Sequence, residues 1–448
     1  MSNPYIGWLG IVRLGFVQAS LGAIVVLCTS TMNRVMVVEL ALPALVPGAL
    51  VALHYILQVL RPRLGYGSDV GGRRTPWIVG GMAVLALGGV LAASATALMG
   101  THFAAAIALA LVAYTLIGIG VGSSGTSLLV LLAKRVDANR RAAAATIVWL
   151  MMIAGIAVTA GVAGHLLRPF SPERLVEVTA AVAALSVVMT ALAVWGMEGD
   201  AQPYQPTAAP AAQPPFRKAL AQVWAEKQVR HFAILIFVSM LAYSAQELII
   251  EPFAGAVFLV PPGASTQLVG VQHGGVLGGM ILLALVTTVA RGRWFGSLRL
   301  WMVVGCYASA AGLFAMATSG AFGPAWPLAT SFFALGIGNG VFTAAAIGSM
   351  MQLASQGRES REGVRMGLWG ASQALAFGLG GLVGSGSVDL ARLLLGSPVV
   401  AYAAVFMSQA LLFLIAGSLA TRVWQPGGER REAPAEAPAE AKVSLAGE

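Results

Sequence analysis

Four charged side chains lie inside or at the ends of two long apolar segments. Arg34 and Glu39 stand at the end of the first segment, and Glu247 and Glu251 at the end of the seventh. A charged side chain in hydrocarbon costs roughly 2.5–3.5 kcal/mol on insertion scales, so each of the four needs a partner. We expect Arg34 to pair with one of the three acids, at the outer ends of two helices that face each other. Such a pair either closes the outer side of a path between helices or only holds the two helices together.

Two histidines form a second set of residues that could do chemistry. His273 follows His54 by 219 residues, and each lies in an apolar segment with a glutamine nearby, Gln272 or Gln58. A neutral imidazole can bind a metal centre through one ring nitrogen. Alternatively, each histidine only makes a hydrogen bond to a neighbouring helix. The spacing alone leaves both interpretations open.

The elements that carry these residues are predicted to be membrane-spanning helices. The chain has 448 residues, of which 58% are hydrophobic and 10% charged, with a mean hydropathy of +0.80. A soluble domain has about 25% charged residues, and a helix of about 20 apolar residues crosses ~30 Å of hydrocarbon. The predicted spans are 12–33, 41–60, 76–98, 104–133, 142–166, 175–196, 231–250, 266–290, 298–318, 326–354, 364–388 and 397–422.

The second half of the chain repeats landmarks of the first. The run Gly118–Gly122 returns as Gly336–Gly340, and the other recurring pairs are Glu39 with Glu251, Trp77 with Trp301 and Trp149 with Trp369. Equal order and similar spacing indicate a duplicated unit of about 220 residues, and such duplicated bundles usually enclose a site where they meet. We therefore predict an all-α membrane protein of twelve helices in two pseudo-symmetric six-helix bundles, with its functional site at the seam between them.

The predicted organisation has four parts. Residues 1–196 form the first bundle, 197–230 a proline-rich cytoplasmic linker, 231–423 the second bundle, and 424–448 a disordered cytoplasmic tail. With the N-terminus inside, 23 of the 27 Lys and Arg residues fall on the cytoplasmic side, which places both termini there. The net charge of +9 then reflects the orientation of the chain in the membrane. It predicts membrane lipids, and not nucleic acid, as the partner.

Other chemistries have little support in the sequence. Cys28 and Cys306 lie in different halves without the spacing of metal ligands, so neither a disulfide nor a zinc site is expected. The sequence contains neither a phosphate-binding Gly-rich lysine loop nor a water-facing catalytic set, so an enzyme is not expected.

The loop after the second span resembles the signature loop of the major facilitator superfamily. It reads Gly-Tyr-Gly-Ser-Asp-Val-Gly-Gly-Arg-Arg over residues 65–74. The resemblance implies a gating loop on the cytoplasmic side, in which an acid caps the start of the eleventh span. Its residues would be Gly65, Asp69, Gly72, Arg73 and Arg74, with Arg365 as the partner in the eleventh span. The alternative is a charged loop that only fixes topology.

Other strings resemble a narrower family, the PucC/LhaA-type bacteriochlorophyll-delivery branch of that superfamily. They are residues 31–40, 246–255, 149–155 and 75–78. The resemblance implies an assembly factor for light-harvesting complexes in a bacterial photosynthetic inner membrane. Its ligand would be bacteriochlorophyll or a precursor, bound non-covalently, and its partners would be antenna polypeptides and pigment-synthesis enzymes. His54 and His273, with Gln58 and Gln272 beside them, become candidate pigment-binding residues, because an imidazole can ligate the chlorin magnesium.

Two other functions remain open at this stage. One is a secondary transporter that exports a small amphipathic molecule, although the acids then stand at helix ends rather than mid-membrane, where a coupling proton is usually taken up. The other is a scaffold that binds antenna polypeptides and transports nothing.

Overall fold

The computed structural model describes residues 6–60, 73–137, 140–198, 224–289, 296–355 and 362–423. This part of the chain is helical, with no β-strand. The twelve helices that follow the predicted spans are α1 Trp8–Glu39, α2 Leu45–Leu57, α3 Thr75–Leu98, α4 Phe103–Arg135, α5 Arg141–Leu166, α6 Pro172–Val194, α7 Lys227–Phe258, α8 Pro262–Val289, α9 Leu298–Phe322, α10 Leu328–Ser355, α11 Glu362–Leu395 and α12 Pro398–Val423.

Eleven of these helices are long and apolar enough to cross a membrane, and α2 is the short one. Its 13 residues continue into a 3-10 turn at Gln58–Leu60, after which the described residues stop until Arg73. The predicted second span began at residue 41, but Ala41 has a positive φ of 51° and the helix starts only at Leu45. A left-handed residue cannot belong to a right-handed helix, so the chain turns there instead.

Each half of the chain builds a hydrophobic core of its own. The first core draws on buried residues from Ile11 to Val194, and the second on residues from Val229 to Ala420. Leu248 of α7 and Val269 of α8 cross over and pack in the first core. The two helix sets therefore touch along a seam.

Glycines bring helices from different halves very close together. A Cβ atom on Gly164 of α5 would lie 2.5 Å from the carbonyl oxygen of Gly263 in α8. A Cβ atom on Gly48 of α2 would lie 2.7 Å from Ser385 Oγ in α11. Small residues allow such backbone approach in lipid, where packing must replace the hydrophobic drive.

The recurring glycine runs set a common packing register in the two halves. Gly118 of α4 faces the carbonyl oxygen of His54, and Gly336 of α10 faces that of Gln272. The counterpart of His54 is therefore Gln272, not His273 as the sequence spacing indicated. One residue turns a helix by about 100°, so the two histidines do not occupy matching faces.

Hydrogen bonds between helix ends define two faces of the molecule. The Ile6 amide donates to the Arg135 carbonyl at 2.8 Å, Arg13 donates to the Trp195 carbonyl, and Arg299 donates to the Thr421 carbonyl. The first and last described helices thus start and end on one side, which we call the near face. The opposite side, which carries the ends of α1, α5, α7 and α11, is the far face.

Candidate functional site

The far-face part of α1 is not a regular α-helix. Two π-helical segments, Leu27–Thr31 and Val35–Glu39, flank the short α-helical stretch Met32–Arg34. A π turn leaves carbonyl groups without their usual partners, and π turns often mark functional positions. Here the Tyr114 hydroxyl of α4 donates to the Cys28 carbonyl at 2.9 Å. The distortion places a run of polar residues of α1 against the second half.

Glu251 of α7 lies at the centre of this polar contact and is fully buried. It accepts hydrogen bonds from Ser265 Oγ and Thr266 Oγ1 of α8, both at 2.9 Å, and from Ser30 Oγ of α1. The Thr31 and Thr266 hydroxyls are also 3.1 Å apart. A buried carboxylate without such donors would be very costly, so these hydroxyls allow Glu251 to stay inside the protein.

Pro252 does not end α7, although the predicted span stopped at residue 250. The helix continues through Pro252 to Phe258, which leaves Glu251 inside the helix and not at its end. Pro252 removes one backbone donor, but neighbouring helices can supply partners for the freed groups in a membrane protein.

Arg34 is 2% exposed and ties α1 to the start of α8. Its Nη1 atom lies 2.5 Å from Glu39 Oε1, and its Nη2 atom donates to the Val260 carbonyl. A Cβ atom on Gly255 would approach the guanidinium to 2.9 Å, so this glycine of α7 makes room for it. Of the three predicted partners, Glu39 is the one that Arg34 contacts directly.

Further bonds between the halves also lie on the far face. Asp389 of α11 accepts hydrogen bonds from the amides of Ala44 and Leu45 at the start of α2, at 2.9 and 2.8 Å. Arg168 after α5 donates to Gln267 Oε1 of α8. These side-chain hydrogen bonds between the first six helices and the last six lie on this face. The far face of the seam is closed.

Glu247 and His273 form a pair deeper in the seam. His273 Nε2 of α8 lies 3.7 Å from Glu247 Oε1 of α7, and His273 Nδ1 lies 3.0 Å from the Val269 carbonyl. The His273 side chain is 3% exposed, whereas that of Glu247 is 26% exposed. The sequence placed these two residues in separate sets, one at the outer seam and one at a ligand site.

Aromatic rings from both halves lie near Glu247 of this pair. The ring of Phe377 in α11 is 5.4 Å from that of Tyr55 in α2 and 6.1 Å from that of Tyr243 in α7. Tyr243 precedes Glu247 by one helical turn. We call Tyr55, Tyr243, Glu247, His273 and Phe377 the mid-seam group.

His54 has a different environment. Its Nε2 atom is 3.0 Å from Gln58 Nε2, one turn later along α2, and its side chain is 2% exposed. Gln272 is also buried, and its Oε1 atom has no hydrogen-bond partner. The structure therefore brings His273 into contact with an acid, whereas the described contact of His54 is with Gln58.

The predicted gating loop falls largely outside the described residues, which include neither Gly65, Asp69 and Gly72 nor the side chain of Arg365. Arg73 is exposed. Arg74 is buried, with Nη1 4.0 Å from Oε1 of Glu198 after α6. A gating role for this loop stays a prediction.

Glu198 caps the start of α3, a role that its sequence context did not indicate. Its carboxylate accepts hydrogen bonds from the amides of Arg74 and Thr75, the latter at 2.9 Å. Partial burial raises the pKa of Glu198, but these amides and the Arg74 charge outweigh burial, and the net shift is downward.

Within the described part of the chain, three or more His, Cys, Asp or Glu side chains never gather as a metal site would require. Cys28 and Cys306 are both buried and unpaired with each other, in separate hydrophobic cores.

Comparison with known protein sequences gives a match over most of the chain. The family described as PUCC protein matches residues 31–427. A relative from Rhodobacter capsulatus, "Bacteriochlorophyll synthase 44.5 kDa chain", is 53% identical over 426 residues, which cover 95% of this chain and 98% of the relative. "Protein PucC" of the same organism is 27% identical, with 93% of each chain covered.

Solved structures of similar fold are transporters. A variant of the nucleoside transporter NupG superposes with a TM-score of 0.69 at 15% identity, covering 93% of this chain and 99% of that one. A bacterial homologue of the lysosomal transporter Spinster, in an inward-facing and unoccupied conformation, gives a TM-score of 0.67 at 14% identity, covering 93% and 98%. At such identities the likeness concerns the fold alone.

Proposed function

Because the chain belongs to the PucC family, we propose that it binds bacteriochlorophyll or a precursor within the membrane and delivers it for the assembly of light-harvesting complexes. The chain is a multi-pass membrane protein with the major-facilitator fold. The resemblance to the PucC family and the predicted major-facilitator fold are thereby confirmed.

The mid-seam group is the observation that carries this proposal. It combines aromatic rings, an imidazole and an acid at a place where the two halves meet. Ligand sites in such duplicated membrane bundles usually lie at this interface, near the middle of the membrane. Aromatic and apolar walls suit a chlorin macrocycle, and an imidazole suits its magnesium.

We propose that the protein acts by binding and delivery rather than by catalysis. The name of the R. capsulatus relative includes the word synthase, whereas the solved structures of similar fold are transporters. The partners would be antenna polypeptides, pigment-synthesis enzymes and membrane lipids. The location would be the photosynthetic inner membrane, with both termini cytoplasmic, so that the near face is the cytoplasmic one.

The test is to purify the full chain from its native membrane in mild detergent and record its absorption spectrum. We expect a co-purifying chlorin that absorbs in the red or near infrared. Phe377→Ala should lose this pigment, because the ring bridges the tyrosines of both halves. Leu393→Ala is the matched control, since Leu393 of α11 is 84% exposed on the outer surface of the bundle. A pigment-free protein whose deletion leaves antenna levels unchanged contradicts the proposal.

Secondary transport is a second candidate function. One structural feature answers the objection, raised from the sequence, that the acids stand at helix ends. Glu251 is fully buried within α7 and not at the helix end, so the chain does place an acid inside the membrane. Uptake of an amphipathic substrate into proteoliposomes, driven by a pH gradient and lost in Glu251→Gln, would support this function. Cross-linking to antenna polypeptides without bound pigment would instead support a scaffold.

A further inference from the structure

The hydrogen bonds of His273 determine which of its ring nitrogens is available. Nδ1 lies 3.0 Å from the Val269 carbonyl, and a carbonyl oxygen can only accept, so Nδ1 carries a hydrogen. In the neutral ring, Nε2 then presents a lone pair. This arrangement, with Nδ1–H bound to a backbone carbonyl, is the one that orients histidine ligands towards metals.

Glu247 stands in front of that nitrogen. Its Oε1 atom is 3.7 Å from His273 Nε2, and it is the more exposed member of the pair. The imidazole is thus covered by a group that can move into the more open part of the seam.

His54 is poorly suited to the same task. Gln58 Nε2 is an amide group that can only donate, so at 3.0 Å it takes up the lone pair of His54 Nε2. The donor lies in the same helix, one turn away, and remains there whatever the two halves do. The two histidines that the sequence treated alike therefore differ in their available chemistry.

We propose that His273 Nε2 is the nitrogen that binds the magnesium of the chlorin, and that Glu247 covers this nitrogen and must move aside when pigment binds. This inference rests on the proposed function and assigns its ligand contact to one nitrogen.

The experiment compares a magnesium chlorin with its metal-free form, chlorophyllide a and pheophorbide a, by titration of the purified full chain in detergent. Affinity and the absorption bands that respond to axial ligation are recorded. Wild type should bind chlorophyllide more tightly by roughly 10–100-fold, the range seen when a metal contact is tuned by its surroundings. His273→Ala should bind both compounds equally, whereas His54→Ala should keep the difference.

Two substitutions of Glu247 should act in opposite directions. Glu247→Ala uncovers Nε2 and should bind chlorophyllide more tightly than wild type. Glu247→Gln places an amide donor beside Nε2, as Gln58 does for His54, and should weaken binding. A residue that only supports the fold would shift both variants in the same direction, and thermal melting of each variant shows whether it is folded.

The outcomes separate this inference from the proposed function. A preference for chlorophyllide that persists in His273→Ala, or that disappears in His54→Ala, overturns the ligand assignment while pigment binding itself stands. Equal signs for the two Glu247 variants overturn the role of the acid. If wild type binds neither compound, the proposed function fails and this inference fails with it.

Discussion

Asp389 joins the two halves at the far face, and removing its carboxylate should loosen that face. It accepts two amide hydrogen bonds at the start of α2, at 2.9 and 2.8 Å, although it belongs to α11. Loss of a side-chain cap costs about 0.5–2 kcal/mol, and hydrogen bonds to a charged group lie at or above the top of that range. Asp389 is half-buried, so we expect Asp389→Ala to destabilise the contact between α2 and α11 by about 2 kcal/mol. This is roughly a 30-fold shift of the equilibrium between the closed and the separated far face.

The assay follows the chemical accessibility of a cysteine placed beside Asp389. Ser385 lies one turn earlier on α11, is 1% exposed and packs against Gly48 of α2. Ser385→Cys, in a background where Cys28 and Cys306 are replaced by Ala, reports separation of α2 from α11. A membrane-impermeant maleimide added to the far side should label this cysteine roughly 30-fold faster when Asp389→Ala is also present.

Two controls define the result. Asp389→Asn keeps one acceptor oxygen but loses the charge, so its labelling rate should fall between wild type and Asp389→Ala. Glu177→Ala removes an exposed acid of α6 with no contact across the seam and should leave the rate unchanged. The reasoning is refuted if Asp389→Ala labels at the wild-type rate, or if Glu177→Ala accelerates labelling as much.

Two further predictions concern stability. The pKa of Glu198 is lowered from 4.5, so its contribution to the stability of the folded protein is present above that pH and is lost as pH falls through the lowered pKa. The melting temperature of Glu198→Gln should therefore be below that of wild type at neutral pH, and the difference should close below pH 4.5. A Cβ atom on Gly336 would lie 2.0 Å from a backbone oxygen of α8, so Gly336→Ala should cost about 1–3 kcal/mol. Gly274→Ala, with open space around it, should melt at or slightly above the wild-type temperature.

Much of the architecture could be predicted from residue patterns that the membrane enforces. Backbone groups in hydrocarbon must bond to each other, so a long apolar run forms a helix. The predicted spans agree with the observed helices to within a few residues at most ends. The largest errors were at α1, α7 and α11, which continue six, eight and seven residues beyond their predicted ends. There the helices leave the apolar pattern because Arg34 of α1, Glu251 of α7 and Asp389 of α11 find partners in the protein.

The composition of the site was harder to predict, because it depends on contacts between residues far apart in sequence. No local signal marks Asp389 as a cap for α2 or Glu198 as a cap for α3. The hydroxyl that bonds to the Cys28 carbonyl in the first π segment of α1 comes from Tyr114 of another helix. His273 and Glu247 were both singled out by residue type, yet their pairing required the relative rotation of α7 and α8.

The hydrogen bonds described between the two halves at the far face have a consequence for how a ligand reaches the seam. Two helix bundles that are bonded at one face separate more readily at the opposite face. An apolar ligand would then reach the aromatic rings of Tyr55, Phe377 and Tyr243 from the near face, or laterally from the lipid leaflet beside it. This is the face at which α1 begins and α12 ends.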